Sequence, residues 1–125
     1  MSITQIAERL ERAVKTDRIC ARAELDLPSL ARALRLPTYR LSAYFNAVLG
    51  MSFPVWLNAV RVDYVRQLLA QKPDMSILEV SIEAGYSSKT VFNSQFMRRV
   101  GMSPSEYRAT LTNSGTVSSK QDDKL

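Results

Sequence analysis

The sequence contains no histidine, and its 125 residues include one cysteine, Cys20. Without histidine, the chain lacks the side chain that most often serves as a general base or as a metal ligand. One cysteine excludes an internal disulfide, and a lone cysteine between Ile19 and Ala21 is typical of a small buried apolar residue. We therefore expect no enzyme activity, no catalytic residues, no bound metal and no cofactor.

Long hydrophobic runs are also missing. No stretch approaches the 18 or more consecutive apolar residues that a membrane-spanning helix needs. The first 14 residues mix Glu8, Arg9, Glu11 and Arg12 among their apolar positions, which is not the pattern of a signal peptide. We expect a soluble, cytoplasmic chain without membrane contact, long enough for one compact helical domain or two very small ones that share a helix.

The net charge of +5 is distributed unevenly along the chain. Residues 1–27 carry five basic and five acidic side chains, whereas residues 28–50 carry three arginines and no acid: Arg32, Arg35 and Arg40. A basic segment without acids is typical of a surface that faces phosphates, although solvated basic faces are common in other proteins too.

Capping signals predict where several helices begin and end. Ser76 with Glu79, and Ser103 with Glu106, form the capping-box pattern, and Gly50 and Gly101 follow helical patterns as C-terminal caps do. The predicted fold class is all-α, with seven helices at 3–15, 28–34, 38–49, 53–71, 77–84, 89–100 and 104–111.

The predicted domain organisation has four parts, and residues 16–27 remain without a clear assignment. The parts are an N-terminal helix with a first helix-turn-helix subdomain (1–51), a connecting helix (52–72), a second subdomain (73–111) and a disordered tail (112–125).

An internal repeat identifies the two subdomains. Gly50-Met51-Ser52 recurs as Gly101-Met102-Ser103, and a short helix, a tight turn and a second helix precede each copy. The offset between matched apolar positions is 50 before the turn and 51 after it, which predicts one extra residue in the second turn.

Each copy has the pattern of a helix-turn-helix. Ala31 and Ser81 occupy the small position of the first helix, and Gly85 occupies the turn of the second copy. Arg35 stands where the second copy has Gly85, and a left-handed arginine costs about 1 kcal/mol. We therefore expect a wider turn in the first copy.

The second helix of each unit is the predicted reader of DNA. Leu41, Phe45 and Val48 should face the core in the first, as should Phe92 and Phe96 in the second. The outward stripes are short or flat side chains that fit a major groove, with Asn46 suited to adenine and Ala43 to a thymine methyl. The predicted base-contacting residues are Tyr39, Ser42, Ala43, Asn46, Lys89, Thr90, Asn93, Ser94 and Met97, and the predicted phosphate-contacting residues are Ser29, Arg32, Arg40, Ser76 and Arg98.

The predicted connecting helix carries an apolar stripe at helical spacing that includes Trp56 and Tyr64. Its length of about 29 Å is close to the ~34 Å pitch of DNA. A rigid connector of that length could hold both reader helices on the same side of a duplex.

The sequence resembles the DNA-binding domain of the AraC/XylS family over residues 26–110. The motifs that carry the resemblance are Leu30-Ala31-x-x-Leu34-x-Leu36, Gly50-Met51-Ser52-Phe53, Asn58-x-x-Arg61-Val62, Ala84-Gly85-Tyr86-Ser87-Ser88, Phe92-Asn93-x-x-Phe96 and Gly101-Met102-Ser103-Pro104-x-Glu106-Tyr107-Arg108. The resemblance implies a bacterial transcription regulator that binds double-stranded DNA sequence-specifically, with its two reader helices in successive major grooves. It also implies, as for many members, an activator that contacts RNA polymerase. Most members have a separate sensor or dimerisation domain, so we expect a C-terminal fragment, monomeric in isolation, rather than a stand-alone short regulator.

A function of a different class remains open. A helical protein-interaction module could use the same polar stripes to bind a partner protein. A strong salt dependence of DNA binding would distinguish the two functions, because phosphate contacts release counterions and protein contacts largely do not.

Overall fold

The structure is a computed structural model that describes residues 1–117. This part of the chain contains α-helices and no strand, so the predicted all-α fold class is confirmed. The seven helices are α1 (Ile3–Lys15), α2 (Leu27–Leu34), α3 (Thr38–Tyr44), α4 (Phe53–Gln71), α5 (Ile77–Glu83), α6 (Lys89–Val100) and α7 (Pro104–Val117). A short 3₁₀ helix, Ile19–Ala21, follows α1, and a π-helix, Phe45–Leu49, continues α3.

The chain divides into two compact units, Met1–Arg61 and the residues from Val62 onward. The division falls inside α4, so the two halves of this helix belong to different units. Unit 1 is built on a core to which α1 contributes Ile6, Leu10 and Ala13, beside the buried faces of α2 and α3. Trp56 from the first half of α4 completes this core, with its ring centroid 5.1 Å from that of Phe45.

Unit 2 repeats this plan. The second half of α4 contributes Val62, Val65, Leu68 and Leu69 to a core that also contains the buried side chains of α5 and α6. Tyr107 of α7 lies 5.8 Å from Phe96 between ring centroids, as Trp56 lies against Phe45 in unit 1. Each unit therefore consists of a leading helix, a helix-turn-helix and a trailing helix, and α4 trails in one unit and leads in the other.

Residues 16–27, which the sequence left unassigned, are held by side chains of unit 1. Ile19, Cys20 and Leu25 are buried. Arg61 donates hydrogen bonds from Nε to the Cys20 carbonyl at 2.8 Å and from Nη2 to the Arg22 carbonyl at 2.7 Å. In unit 2, Arg108 of α7 donates to the Met75 carbonyl just before α5. An arginine of the trailing helix thus anchors the segment that leads into each helix-turn-helix.

The expected wider turn at Arg35 is wrong. Arg35 adopts the left-handed conformation, with φ 61° and ψ 47°. The Leu36 amide donates to the Ala31 carbonyl at 3.1 Å, just as the Tyr86 amide donates to the Ser81 carbonyl at 3.0 Å. Burial of Leu34 and Leu36 is worth about 1.5 to 3 kcal/mol each, enough to offset the strain of a left-handed arginine. The extra residue of the second copy lies after the turn, where Ser87 and Ser88 correspond to Pro37 alone.

The prediction that Val48 faces the core is also wrong, since its side chain is 45% exposed. The π-helix closes wider turns with hydrogen bonds between residues five apart, including one from the Gly50 amide to the Phe45 carbonyl. The wider turn directs Leu49 toward the core and leaves Val48 outside. Tyr44, which was not predicted to be a core residue, is buried.

Helix α7 ends at Val117, six residues beyond its predicted end at 111. The predicted disordered tail therefore begins inside this helix, and its part from 118 to 125 lies outside the described residues.

Candidate nucleic-acid interface

The outward face of α3 and of the π-helix that continues it carries the predicted base-contacting residues of unit 1. Leu41, Tyr44 and Phe45 fill the opposite, buried face and so fix the rotation of the helix. Tyr39 is 74% exposed. Ala43 and Asn46 are exposed as well, and Ser42 is partly buried at the edge of the stripe.

The outward face of α6 carries the equivalent residues of unit 2. Phe92 and Phe96 are buried as predicted. The predicted contacts Lys89, Thr90, Asn93, Ser94 and Met97 are all exposed. Tyr39, Ser42, Ala43 and Asn46 correspond at a constant offset of 51 to Thr90, Asn93, Ser94 and Met97. Each unit thus presents the same four helix positions on the outward face of its own reader helix.

A shallow groove lies beside each reader helix, between it and the N-terminal ends of the flanking helices. In unit 1 the groove has a volume of about 340 Å³ and is lined by residues that include Leu27, Ser42, Asn46 and Ser52. In unit 2 its volume is about 360 Å³, and its lining includes Ile77, Asn93 and Ser103. Leu27, Ser42 and Ser52 correspond in the repeat to Ile77, Asn93 and Ser103, so the internal repeat extends to the concave surface around each reader.

The predicted phosphate contacts differ in how they are held. Arg32 and Arg98 are exposed. Arg32 Nη2 donates to Ser29 Oγ at 3.2 Å. Arg40 is partly buried, and its Nη2 donates to the Met1 carbonyl at 2.7 Å, so one of its donors is already engaged. Ser76 Oγ accepts from the Glu79 amide at 3.0 Å and caps α5.

One exposed carboxylate lies at the start of the first helix of each helix-turn-helix. Hydrogen bonding with Ser29 lowers the pKa of Asp26, the N-cap of α2, and hydrogen bonding with Ser76 lowers the pKa of Glu79 in the first turn of α5. Both groups are therefore ionised at neutral pH, near the positive ends of their helices.

The exposed faces of α2 and α5 nevertheless differ in charge. Residues 73–88 contain three acidic residues and no lysine or arginine, in contrast to the acid-free segment 28–50. Leu78 and Ile82 of α5 are 56% and 61% exposed, whereas the equivalent positions of α2 are Pro28 and Arg32. In unit 2 the reader helix α6 itself carries Lys89, Arg98 and Arg99, and Arg99 Nε lies 3.7 Å from the Asp63 carboxylate.

One exposed basic residue beside α3 was not among the predicted contacts. Arg35 lies in the turn of the first helix-turn-helix, two residues before Pro37, the N-cap of α3. Its charge was recognised in the sequence, but its conformation could have been predicted only by requiring the two turns to be identical.

Three other features bear on function within the residues that the structure describes: the cysteine thiol, metal-binding clusters and membrane-spanning helices. Burial raises the pKa of Cys20 to about 11, which keeps the thiol protonated at neutral pH. No cluster of histidine, cysteine, aspartate or glutamate side chains suited to a metal occurs in residues 1–117. In the same range, no helix combines the length and the apolar character needed to cross a membrane.

Comparison with known families and curated proteins gives a consistent result. The model of a helix-turn-helix domain family matches residues 30–110. The transcriptional regulator ExsA of Pseudomonas aeruginosa is 34% identical over 85 residues, which are 68% of this chain and 30% of that protein. The activator RhaR of Salmonella schwarzengrund is 32% identical over 106 residues, which are 85% of this chain and 33% of that protein. The chain thus spans about a third of the length of these relatives.

Solved structures with the same fold include two that are 26% identical to this chain. The C-terminal domain of AraT, a response regulator from Geobacillus stearothermophilus, matches with a TM-score of 0.72 over 85% of this chain and 84% of that chain. The DNA-binding domain of AdpA in complex with a target DNA also gives a TM-score of 0.72, over 85% of this chain and 91% of that chain.

The family match covers both helix-turn-helix units and both reader helices. Its limits enclose the paired turns at Arg35 and Gly85 and the paired exposed stripes of α3 and α6. The chain therefore belongs, through this helix-turn-helix domain, to the AraC/XylS family of DNA-binding transcription regulators.

Proposed function

We propose that this chain binds one double-stranded DNA site sequence-specifically, with α3 and α6 reading successive segments of the major groove. The observation that carries the proposal is the correspondence of four outward positions on the two reader helices, all of them exposed except the partly buried Ser42. Each reader is supported by an equivalent turn and an equivalent buried face. The AdpA domain, which shares the fold, was crystallised with a target DNA, which supports the same use of this one.

The proposed base contacts are the two exposed stripes, from Tyr39 to Asn46 and from Lys89 to Met97. All of these side chains except the partly buried Ser42 are exposed, so they can reach base edges in a major groove. Arg32 and Arg98 are the proposed phosphate contacts with the most exposed charge. Ser29, Arg40 and Ser76 are further proposed contacts, and each is already hydrogen-bonded within its unit.

The proposed role of the intact protein is transcription activation with RNA polymerase as a partner. Relatives that the chain resembles are named as transcriptional activators, among them RhaR of Salmonella schwarzengrund and VirF of Yersinia enterocolitica. The domain acts by binding rather than by catalysis, and we expect it to be a monomer when isolated.

The test is a footprint and a salt titration on duplex DNA. We expect two protected sub-sites about one helical turn apart. The association constant should fall by about 10³-fold between ~50 and ~200 mM salt if roughly six phosphates are contacted. A weak salt response, with retained binding to a partner protein, would instead support the protein-interaction module.

A further inference from the structure

The turn of the first helix-turn-helix contains Arg35 at the position where the second repeat has glycine. The turn itself therefore does not require an arginine. Arg35 has φ 61°, and Gly85 at the equivalent position has φ 105°. In this region an L side chain crowds its own carbonyl, whereas glycine meets no such clash. Because the two turns make the same pair of backbone hydrogen bonds, glycine would form the first turn without strain.

The Arg35 side chain is exposed and carries a charge beside the reader helix. It belongs to the segment 28–50, which has three arginines and no acid. Arg32 donates to Ser29 Oγ, and Arg40 donates to the Met1 carbonyl. Among the residues that the structure describes, the Arg35 guanidinium makes no hydrogen bond or ion pair, so its donors are available to a ligand.

We propose that Arg35 binds a backbone phosphate at the edge of the groove that α3 reads, and that its left-handed backbone aims the side chain there. Strained backbone tends to persist where a side chain serves a function. A guanidinium is well suited to phosphate, because its planar donors match two phosphate oxygens. This inference rests on the proposed function of DNA binding.

A purely structural role for Arg35 makes a different prediction. A cation at the C-terminal end of α2 interacts favourably with the carbonyl end of the helix dipole. If that were its whole role, replacing Arg35 would change the stability of unit 1 and leave the affinity for DNA unaltered.

The experiment measures binding of the full chain to a 30-bp duplex pool of random sequence, since a phosphate contact does not depend on base sequence. Arg35→Gly should weaken binding about threefold to tenfold at ~100 mM salt. It should also reduce the slope of log K against log salt by about 1. The thermal midpoint should be unchanged or higher, because glycine relieves the strain. Arg35→Lys, which keeps the charge, should retain most of the affinity.

Arg18 provides a matched control. It is the other residue besides glycine with positive φ in the described part of the chain, at 52°, and it precedes the 3₁₀ helix. Arg18→Gly removes the same charge and relieves the same kind of strain, and it should change DNA affinity by less than about twofold.

Three results would overturn the inference. One is an Arg35→Gly variant that binds as the unsubstituted chain does, and another is an equal loss for Arg35→Gly and Arg18→Gly, which would show a net-charge effect only. In both cases the proposed function would stand. The third is an unsubstituted chain that does not bind the duplex at any salt, which would overturn the proposed function as well.

Discussion

Equivalent residues of the two reader helices differ in chemistry. Ala43 of α3 and Asn46 of the π-helix that continues it correspond to Ser94 and Met97 of α6. An amide can form two hydrogen bonds to an adenine, whereas a thioether offers mainly an apolar contact. Ser94 Oγ donates to the Val91 carbonyl at 3.3 Å, so its remaining capacity toward a base is as an acceptor. We therefore expect the two halves of the DNA site to have different sequences.

Asn46→Ala should cost about 1 to 3 kcal/mol at one base pair and relax the preference there, because Asn46 lies within the exposed stripe. Binding to a selected site and to its single-base variants measures this loss. The comparison variant is Arg32→Ala, which should weaken binding to all duplexes similarly. Arg40 is less suitable, because its replacement removes a partly buried hydrogen bond to the distant Met1 carbonyl, whereas Arg32 loses an exposed bond to Ser29 within α2. An equal loss on every duplex for Asn46→Ala would show that Asn46 reads no base.

Among the elements, α1 is part of the core although it lies outside residues 30–110, which match the family. Its buried residues pack in unit 1 as the second half of α4 packs in unit 2. Without α1, the apolar faces of α2 and α3 would lose one of their covering helices. The fold of the first reader therefore depends on a helix that carries none of the proposed DNA contacts.

Two isoleucines of α1 test this dependence. Ile6 is 2% exposed and Ile3 is 60% exposed. Ile6→Ala should lower the free energy of unfolding by about 2 to 5 kcal/mol, whereas Ile3→Ala should change it by less than about 0.5 kcal/mol. Urea unfolding followed by circular dichroism gives both values. Similar small effects for the two variants would mean that α1 does not contribute to the stability of unit 1.

The sequence was informative about elements wherever local chemistry determines them. Capping boxes at Ser76 and Ser103 located two helix starts, and both are present in the structure as hydrogen-bonded pairs. The internal repeat located both reader helices and their outward stripes. Local chemistry did not predict the backbone conformation where packing of the core determines it. The examples are the left-handed Arg35 and the π-helix that exposes Val48. Which exposed residues contact DNA remains a prediction, since exposure is necessary for contact but does not establish it.

At the scale of the whole molecule, α4 is shared by the two units, because it continues through the division at Arg61 and Val62. A rigid α4 would act as a connector between the two readers. Simultaneous binding by both readers would then depend on the length of this helix. Once one reader is bound, the connecting helix determines the effective concentration of the other reader at its own sub-site.

Two alanines inserted between Arg61 and Val62 should abolish most of this gain. The insertion lengthens α4 by about 3 Å and rotates the following residues by about 200°. Arg61 and its hydrogen-bond partners all precede the insertion, and Val62 with the rest of its core follows it. The insertion therefore preserves the contacts within each unit. The advantage of a full site over a half-site, about 10²-fold for linked weak binders, should largely disappear.

The measurement is affinity for a full site and for a half-site, with helix content recorded by circular dichroism on the same samples. An insertion variant that stays folded and keeps its preference for the full site would show that α4 does not act as a rigid connector.

The shared helix also has a consequence for how the chain melts. The first half of α4 packs in the core of unit 1, and its second half packs in the core of unit 2. Unfolding of either core would therefore fray a helix that the other core requires. Modules coupled in this way unfold together. Repeat proteins behave likewise when the free energy of the interface between neighbouring repeats exceeds the stability of a single repeat. Thermal unfolding of the chain should therefore be a single cooperative transition rather than two.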